Sequence, residues 1–192
     1  MDISVKCPDD VIDGFLINKD KRKILFGDVA GGSGSRMPEE YQRSKIIEGT
    51  KIICPKSITR INLRTNVLKD ICRPNINNDG FDYSEDFDGI QIIKNKKIYI
   101  NLKCIVGSGG AQTRSLREVY WFIEGQLRVL IYKEDVYFAN ILDGDEAYKN
   151  MNKFEYLINL TEFDKIRNKI YVGDLKNYFK WFKDIFENEL NI

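Results

Sequence analysis

Apolar and polar positions alternate most regularly in the neighbouring segments FDGIQIIKN and KKIYINLKCIV. Each segment has the length of a strand, and the basic stretch Lys94 to Lys97 that joins them is typical of a turn. We therefore predict two antiparallel strands here. A second basic stretch, Lys19 to Lys23, separates VIDGFLIN from KILFGDVA, and this pattern predicts an earlier hairpin.

Helical periodicity begins after the second strand. Between Thr113 and Ile131, apolar side chains recur on one helical face, namely Leu116, Val119, Tyr120, Ile123, Leu127 and Leu130. DVYFANIL and KIYVGDL predict two more strands, with GDEAYKNMNKFEYLINL between them as a helix capped near Asp145. LKNYFKWFKDIFENEL predicts a closing helix that packs through Tyr178, Trp181, Phe182 and Phe186. Pro38 marks the start of an earlier helix that reaches about Glu48.

This order of elements predicts an α/β fold in which helices cover both faces of a mixed sheet. A chain of 192 residues, 43% of them hydrophobic, suits a single domain. No apolar run approaches the roughly 18 residues of a membrane span, and the first residues lack the pattern of a signal peptide. We therefore expect a soluble, cytoplasmic protein with no membrane partner.

The amino-acid composition limits the catalytic groups that the chain can use. The chain has no histidine, which excludes Ser-His-Asp and Cys-His catalysis and most zinc hydrolases. Cys7, Cys54, Cys72 and Cys104 form no CxxC pair, so we expect reduced, buried thiols. The net charge of +1 gives no global signal for nucleic-acid binding. Carboxylates, lysine and oxygen-bound metal ions remain as the catalytic groups.

Polar side chains gather at the ends of the two strong strands. Glu85, Asp86 and Asp88 precede or open the first strand, and Asn101 and Lys103 lie two apart on the second, so those two share one face of the sheet. Acidic side chains beside a lysine can hold a divalent ion and stabilise an attacked phosphate. An acid-rich turn and a surface lysine give the same spacing, which leaves both interpretations open.

The glycine loop GSGGAQT lies between Lys103 and the predicted helix. It lacks the Lys-Ser/Thr of a Walker loop, and Gln112 replaces the third glycine of a dinucleotide fingerprint, so a nucleotide-binding module is a weak alternative. Backbone N–H groups at the helix start, together with Gln112, Thr113 and Arg114, can still meet a phosphate. Arg117 adds a further positive charge there.

The ordered set EDFDG, YINLK, GGAQTRSLREVYWFI and YFANILDGDEA resembles type II restriction endonucleases of the PD-(D/E)xK superfamily. The resemblance spans about residues 80–174, and GGAQTRSLREVY is its most specific block. It implies a restriction-endonuclease-like three-layer α/β/α core around a central mixed β-sheet, with residues 1–79 supplying recognition or dimerisation elements. It also implies a homodimer that cuts double-stranded DNA with Mg²⁺ and leaves 5′-phosphate ends.

The resemblance implies roles for individual residues. Asp88 becomes the first metal-binding acid and Lys103 the catalytic lysine, while Asp86 is the substitute metal ligand if the register slips. Asn101 stands in the catalytic motif where Asp or Glu is expected, and its neutral amide oxygen is a poorer ligand for a hard cation. Either another residue supplies the second carboxylate, or the protein binds DNA without cutting it or cuts slowly.

Two glutamates of the predicted helix compete for the role of second carboxylate. Glu124 falls at the margin of the apolar stripe, whereas Glu118 projects nearly opposite Leu116. Glu118 lies closer to Lys103 along the chain and belongs to the LREVY block, so we favour it as both catalytic and metal-binding. Surface pairing of both glutamates with nearby arginines is the remaining option.

DNA recognition is less explicit in the sequence. SGSRMPEEYQRSK has flexible glycines followed by Arg36 and Arg43, and basic and amide side chains of this kind read bases in the major groove. An ordinary surface loop explains the composition equally well. The segment NLRTNVLKDICRPNINN is a second candidate, and the two cannot be ranked from the sequence.

Overall fold

A four-stranded mixed sheet is the centre of the fold in the computed structural model, which describes residues 4–28, 36–70 and 83–190. Its strands are β4 (Gly89–Ile93), β5 (Lys96–Cys104), β6 (Val136–Asp143) and β7 (Ile170–Gly173), in the order β4-β5-β6-β7. β4 and β5 form the predicted antiparallel hairpin, whereas β5, β6 and β7 run parallel. The α/β class and the mixed sheet are therefore confirmed.

A second sheet has three short antiparallel strands. It consists of β1 (Thr59–Asn62), β2 (Val67–Asp70) and β3 (Ser84–Asp86), in the order β2-β1-β3. Only Phe87 and Asp88 separate β3 from β4, so the chain passes from the small sheet to the central sheet across these two residues. Phe87 is buried and its ring packs against the rings of Tyr99, Phe122 and Phe138.

Helices pack on both faces of the central sheet. The described α-helices are α1 (Lys19–Phe26), α2 (Arg36–Thr50), α3 (Gly110–Leu130), α4 (Asp145–Lys149), α5 (Met151–Ile158) and α6 (Leu175–Leu190). α3 and α5 join one hydrophobic core, and α2 and α6 join the other. The alternation along β5 explains the division, because Tyr99 belongs to the first core and Ile98, Ile100 and Leu102 to the second. This arrangement is compatible with three α/β/α layers.

The predicted first hairpin is wrong. Residues Gly14–Leu16 form a 3₁₀ turn and Lys19–Phe26 form α1, so the basic stretch lies in a helix and not in a turn. The side chain of Asn18 caps α1 by accepting a hydrogen bond of 2.8 Å from the backbone N–H of Lys21. A capped helix start satisfies N–H groups that a hairpin would need to pair across strands.

The other predicted helices need smaller corrections. The helix beginning at Pro38 is confirmed but starts at Arg36 and ends at Thr50. The helix predicted from Asp145 is two helices, because Asn150 leaves the helical conformation with φ −108° and ψ 4°. The N-cap residue of α4 is Gly144, so no side chain caps this helix. In α6, Trp181 is only half-buried, while the other three predicted aromatic residues are buried.

The prediction of buried cysteines holds only in part. Cys54 is buried and Cys104 is half-buried, but Cys7 is exposed, and all three are free thiols. Cys72 and the predicted loop at 73–80 lie outside the described residues. No helix within residues 4–28, 36–70 and 83–190 is long and apolar enough to cross a membrane.

Candidate active site

Lys103 lies near the end of β5, where the chain leaves the sheet for α3. Its side chain is half-buried, and its ammonium makes no hydrogen bond or ion pair with any described residue. Asp88, which immediately precedes β4, contacts this end of β5, because its Oδ2 accepts a hydrogen bond of 2.7 Å from the backbone N–H of Leu102. The structure therefore places Asp88 and Lys103 at the same end of the hairpin, as the sequence predicted.

Helix α2 adds Glu39 to this group. Its half-buried carboxyl has a raised pKa, because burial disfavours the charge and the carboxylate of Asp88 repels it, while Lys103 acts in the opposite direction. Glu39 was not predicted from the sequence, because it lies on a helix that is separated from β5 by a long stretch of chain. No local pattern distinguishes it from a helix-start glutamate.

Glu85 also lies within the electrostatic reach of Lys103, and Glu118 lies within that of Glu85. Partial desolvation raises the pKa of Glu85, the charge of Glu118 raises it further, and the charge of Lys103 lowers it. Glu118 is exposed on α3 and makes no hydrogen bond or ion pair within the described residues. Of the two glutamates that competed for the second carboxylate, Glu118 is thus the one that shares the electrostatic environment of Lys103.

Glu124 forms an ion pair with Arg128. Its Oε1 is 3.0 Å from Nη2 of Arg128, one helical turn away, and the same guanidinium is 3.8 Å from Glu162. Asp86 is also engaged elsewhere, because two oxygens of its carboxylate contact the guanidinium of Arg60 on β1. These two alternatives are therefore paired with arginines and not directed at Lys103.

Asn101 shares the face of Lys103, as predicted, but lies in the protein interior. It is 2% exposed, and its Nδ2 donates a hydrogen bond of 3.1 Å to Oδ1 of Asn140, its neighbour on β6. Asn140 also exchanges two hydrogen bonds, of 2.6 and 3.0 Å, with the buried amide of Gln126 on α3. Asn101 is therefore connected to α3 through Asn140.

Gln42 fastens α2 to the end of the sheet. Its Nε2 donates to the backbone oxygen of Lys103 at 3.1 Å and to Oδ2 of Asp143 at 2.8 Å. Glu39 lies one helical turn earlier, so the same contact positions both Glu39 and Lys103. The sequence placed Gln42 among the side chains that read DNA bases, but it is 1% exposed. Its buried position was not predictable locally, because its partners lie 61 and 101 residues away.

The glycine loop is a tight connection. Gln112 folds back over Gly109, since its Oε1 lies 2.8 Å from the position that a Cβ on this glycine would take. The hydroxyl of Thr113 donates to the backbone oxygen of Gly109 at 3.1 Å. Arg114 and Arg117 are exposed on the first turns of α3 and make no hydrogen bond or ion pair with a described residue.

Arg36 and Arg43 line an open groove of ≈ 550 Å³ next to Glu39, with Lys56 on the opposite wall. Arg36 is paired with Glu40 at 2.7 Å, and Arg43 donates to the backbone oxygen of Cys54 at 3.3 Å. The groove places three cations next to the candidate site, a distribution that suits a phosphate backbone. Residues 33–35, the first part of the candidate segment SGSRMPEEYQRSK, lie outside the described residues.

The carboxylates fit a hydrated Mg²⁺. Two acid pairs, Glu39 with Asp88 and Glu85 with Glu118, raise the pKa of one member through like charge, and a divalent cation relieves such repulsion. Within the described ranges, no three histidine, cysteine or acidic side chains form a ready cage for a metal ion. Mg²⁺ ordinarily takes one or two carboxylates and keeps several waters, so the pairs suffice.

Comparison with known proteins assigns the chain to no family. The chain matches no family model, no curated protein and no solved structure. The function therefore has to be inferred from the residues around Lys103 themselves.

Proposed function

We propose that the chain is a Mg²⁺-dependent endonuclease that hydrolyses double-stranded DNA at a short sequence, in the manner of type II restriction endonucleases of the PD-(D/E)xK superfamily. The observation that carries the proposal is the ammonium of Lys103, which makes no ion pair within the described residues although its charge acts on two acidic side chains, Glu39 and Glu85. A structural lysine in such surroundings ordinarily forms a salt bridge. An ammonium left without one is available to a phosphate.

The residues divide the chemistry among them. Asp88 and Glu118, one member of each acid pair, are the proposed metal-binding carboxylates. Mg²⁺ held there would supply Lewis-acid polarisation and a water of lowered pKa. Lys103, a donor without acceptor capacity, stabilises the charge that develops on the attacked phosphate. Glu39 is the candidate general base, since its raised pKa makes its carboxylate a better proton acceptor for the attacking water.

Duplex DNA is the proposed substrate because cations flank the site on two sides. Arg43 and Lys56 lie along the groove next to Glu39, together with Arg36, which is paired with Glu40. Arg114 and Arg117, which make no ion pair with a described residue, lie at the start of α3. A homodimer would present two such sites to the two strands, as the resemblance implies. Sedimentation with and without a DNA duplex tests that assembly.

Cleavage of a plasmid of known sequence, with and without Mg²⁺, tests the proposal. Lys103→Ala and Asp88→Ala should each lower the cutting rate by at least about 100-fold, while binding measured in Ca²⁺ remains. Lys97→Ala is the matched control, because Lys97 is an exposed lysine on the same strand. Normal cutting by both site variants would show that the chemistry lies elsewhere.

Glu118→Gln and Glu124→Gln, assayed in the same way, test the second carboxylate. We expect loss of cutting only for Glu118→Gln, because Glu124 is paired with Arg128. Equal losses, or a loss confined to Glu124→Gln, would refute the assignment of Glu118.

A second candidate function, DNA binding without cleavage, is favoured by one observation. The position where the catalytic motif has a carboxylate holds Asn101, whose amide is buried and bonded to Asn140. In that case the protein would retard DNA at all Mg²⁺ concentrations and never nick it. Plasmid nicking that depends on Mg²⁺ and on Lys103 distinguishes the enzyme from the binding protein.

A further inference from the structure

A groove of ≈ 650 Å³ lies between α3 and α5, on the side of α3 that faces away from Lys103. Tyr120 lines it, and Tyr120 is about 200° around the helix from Glu118, since each residue turns the helix by about 100°. The ring-lined part of the groove therefore lies on a different face of α3 from Glu118. Arg117 is the lining residue that the proposed function also uses.

Aromatic faces dominate the walls of this groove. The side chain of Trp121 is 53% exposed and that of Tyr156 is 69% exposed, although both line a concave surface. The ring of Tyr120 meets Trp121 edge-on, with centroids 5.6 Å apart and an interplanar angle of 88°. The indole therefore has a packed neighbour on one side, while the 53% exposure of Trp121 leaves ring surface on which a flat group can stack.

The charges of the groove are positive. Arg117 makes no hydrogen bond or ion pair with a described residue, and the ammonium of Lys153 donates only to Oδ1 of Asn150, at 2.6 Å. No carboxylate is among the residues that line the groove in the described part of the chain. Two cations without acidic partners complement an anion, and the open rings beside them complement a flat apolar group.

An amide completes the chemistry of the lining. Asn152 lines the groove and its side chain makes no hydrogen bond with a described residue. A free amide supplies one acceptor and two donors, the combination that recognises the edge of a nucleobase. Ring faces, cations and a free amide occur together in surfaces that bind single-stranded nucleic acids.

We propose that the α3–α5 groove binds an unpaired nucleotide of a nucleic-acid strand. The base stacks on Trp121 and Tyr156, and the phosphates contact Arg117 and Lys153. A base inside a duplex is stacked on its neighbours and cannot enter, so the groove selects single-stranded over double-stranded segments. This inference goes beyond the proposed cleavage of duplex DNA and does not depend on it.

Tryptophan fluorescence provides a direct test, because the chain has two tryptophans and only Trp121 lies in the groove. The Trp181→Phe protein, titrated in EDTA with a twelve-residue oligothymidylate, should show saturable quenching that weakens with salt. The reciprocal Trp121→Phe protein should show none, since Trp181 lies on α6. A duplex of the same length should quench at least about ten times more weakly.

Affinity measured by fluorescence anisotropy tests the roles of the residues. Trp121→Ala should weaken oligothymidylate binding by about 5- to 100-fold, as loss of one stacked base predicts. Lys153→Ala should weaken it too and lower the salt dependence, and Lys153 is informative because it lies on α5, away from Lys103. Tyr132→Ala is the matched control, since this tyrosine is 81% exposed but outside the groove.

Three results would overturn the inference. They are equal quenching by duplex and single strand, unchanged affinity of the Trp121→Ala protein, and quenching by an acidic peptide but not by the oligonucleotide. Because EDTA removes divalent ions, the outcome is independent of whether the protein cuts DNA. Failure of plasmid cleavage and failure of groove binding are therefore separate results.

Discussion

Asp143→Asn removes a buried charge whose effect on stability depends on pH. Asp143 ends β6 and is 2% exposed. Its Oδ1 accepts from the backbone N–H of Leu175 at 3.0 Å, and its Oδ2 accepts from Gln42. The pKa of Asp143 is raised from 3.8 to about 7, mainly because burial disfavours the charge. The two hydrogen bonds oppose this shift, and the charges of Asp174 and Asp13 add to it.

The sign of the effect follows from proton binding. An acid with a higher pKa in the folded protein binds its proton more tightly when folded, so the free energy of unfolding falls as the pH rises from the unfolded to the folded pKa. A difference of about 3 pKa units corresponds to about 4 kcal/mol, at about 1.4 kcal/mol per unit. About 2.5 kcal/mol of this loss falls between about pH 5 and pH 8.

Urea unfolding of the wild type and Asp143→Asn at about pH 5 and pH 8 measures this loss. The variant removes the charge and replaces one acceptor oxygen by an NH2 donor, a loss of one hydrogen bond that is the same at both pH values. Its free energy of unfolding relative to the wild type should therefore rise by about 2.5 kcal/mol between the two pH values. Asp184→Asn is the matched control, because Asp184 is exposed on α6. Parallel stability curves for wild type and Asp143→Asn would refute the reasoning.

Three further substitutions test the structure by thermal and urea unfolding. Phe87→Ala empties a buried site between three rings and should cost about 3–5 kcal/mol; a cost below about 1 kcal/mol would contradict the packing. Gly144→Ala should cost more than Gly27→Ala, because both glycines have positive φ, but only at Gly144 would the Cβ meet a backbone oxygen, at 2.1 Å. Equal costs would contradict this close approach. Gln42→Leu should cost about 1–3 kcal/mol and also slow cleavage, since Lys103 loses its backbone anchor; unchanged stability would refute the anchoring role.

Elements with a strong local signal were predicted correctly. The β4–β5 hairpin combines alternation with a turn at which Lys94 takes φ 54°, and α3 has an apolar stripe over its whole length. The hairpin predicted for the first segment was wrong, because local hydrogen bonding favours a helix there. The side chain of Asn18 caps a short helix with no buried residue, and a hydrophobic pattern gives no sign of such a helix.

Only those residues of the candidate site that lie on the β4–β5 hairpin and on α3 were predicted from the sequence. Asp88 and Lys103 lie on one hairpin, and Glu118 follows on the next helix, so spacing and periodicity bring them near each other. Glu39 and Gln42 arrive through the packing of α2 on the sheet, a contact between distant parts of the chain. Sequence periodicity shows that α2 has a buried face but not which strand end that face will meet.

The interior position of Asn101 changes the meaning of the missing carboxylate. Its amide nitrogen donates to an oxygen of Asn140, and an aspartate has no donor to offer when ionised. A carboxylate there would place a negative charge against that oxygen, in a site that is 2% exposed. Packing of the sheet against α3 is therefore sufficient reason for an amide at this position. The asparagine alone does not argue against catalysis, because Glu39, Glu85 and Glu118 provide carboxylates around Lys103 from other elements.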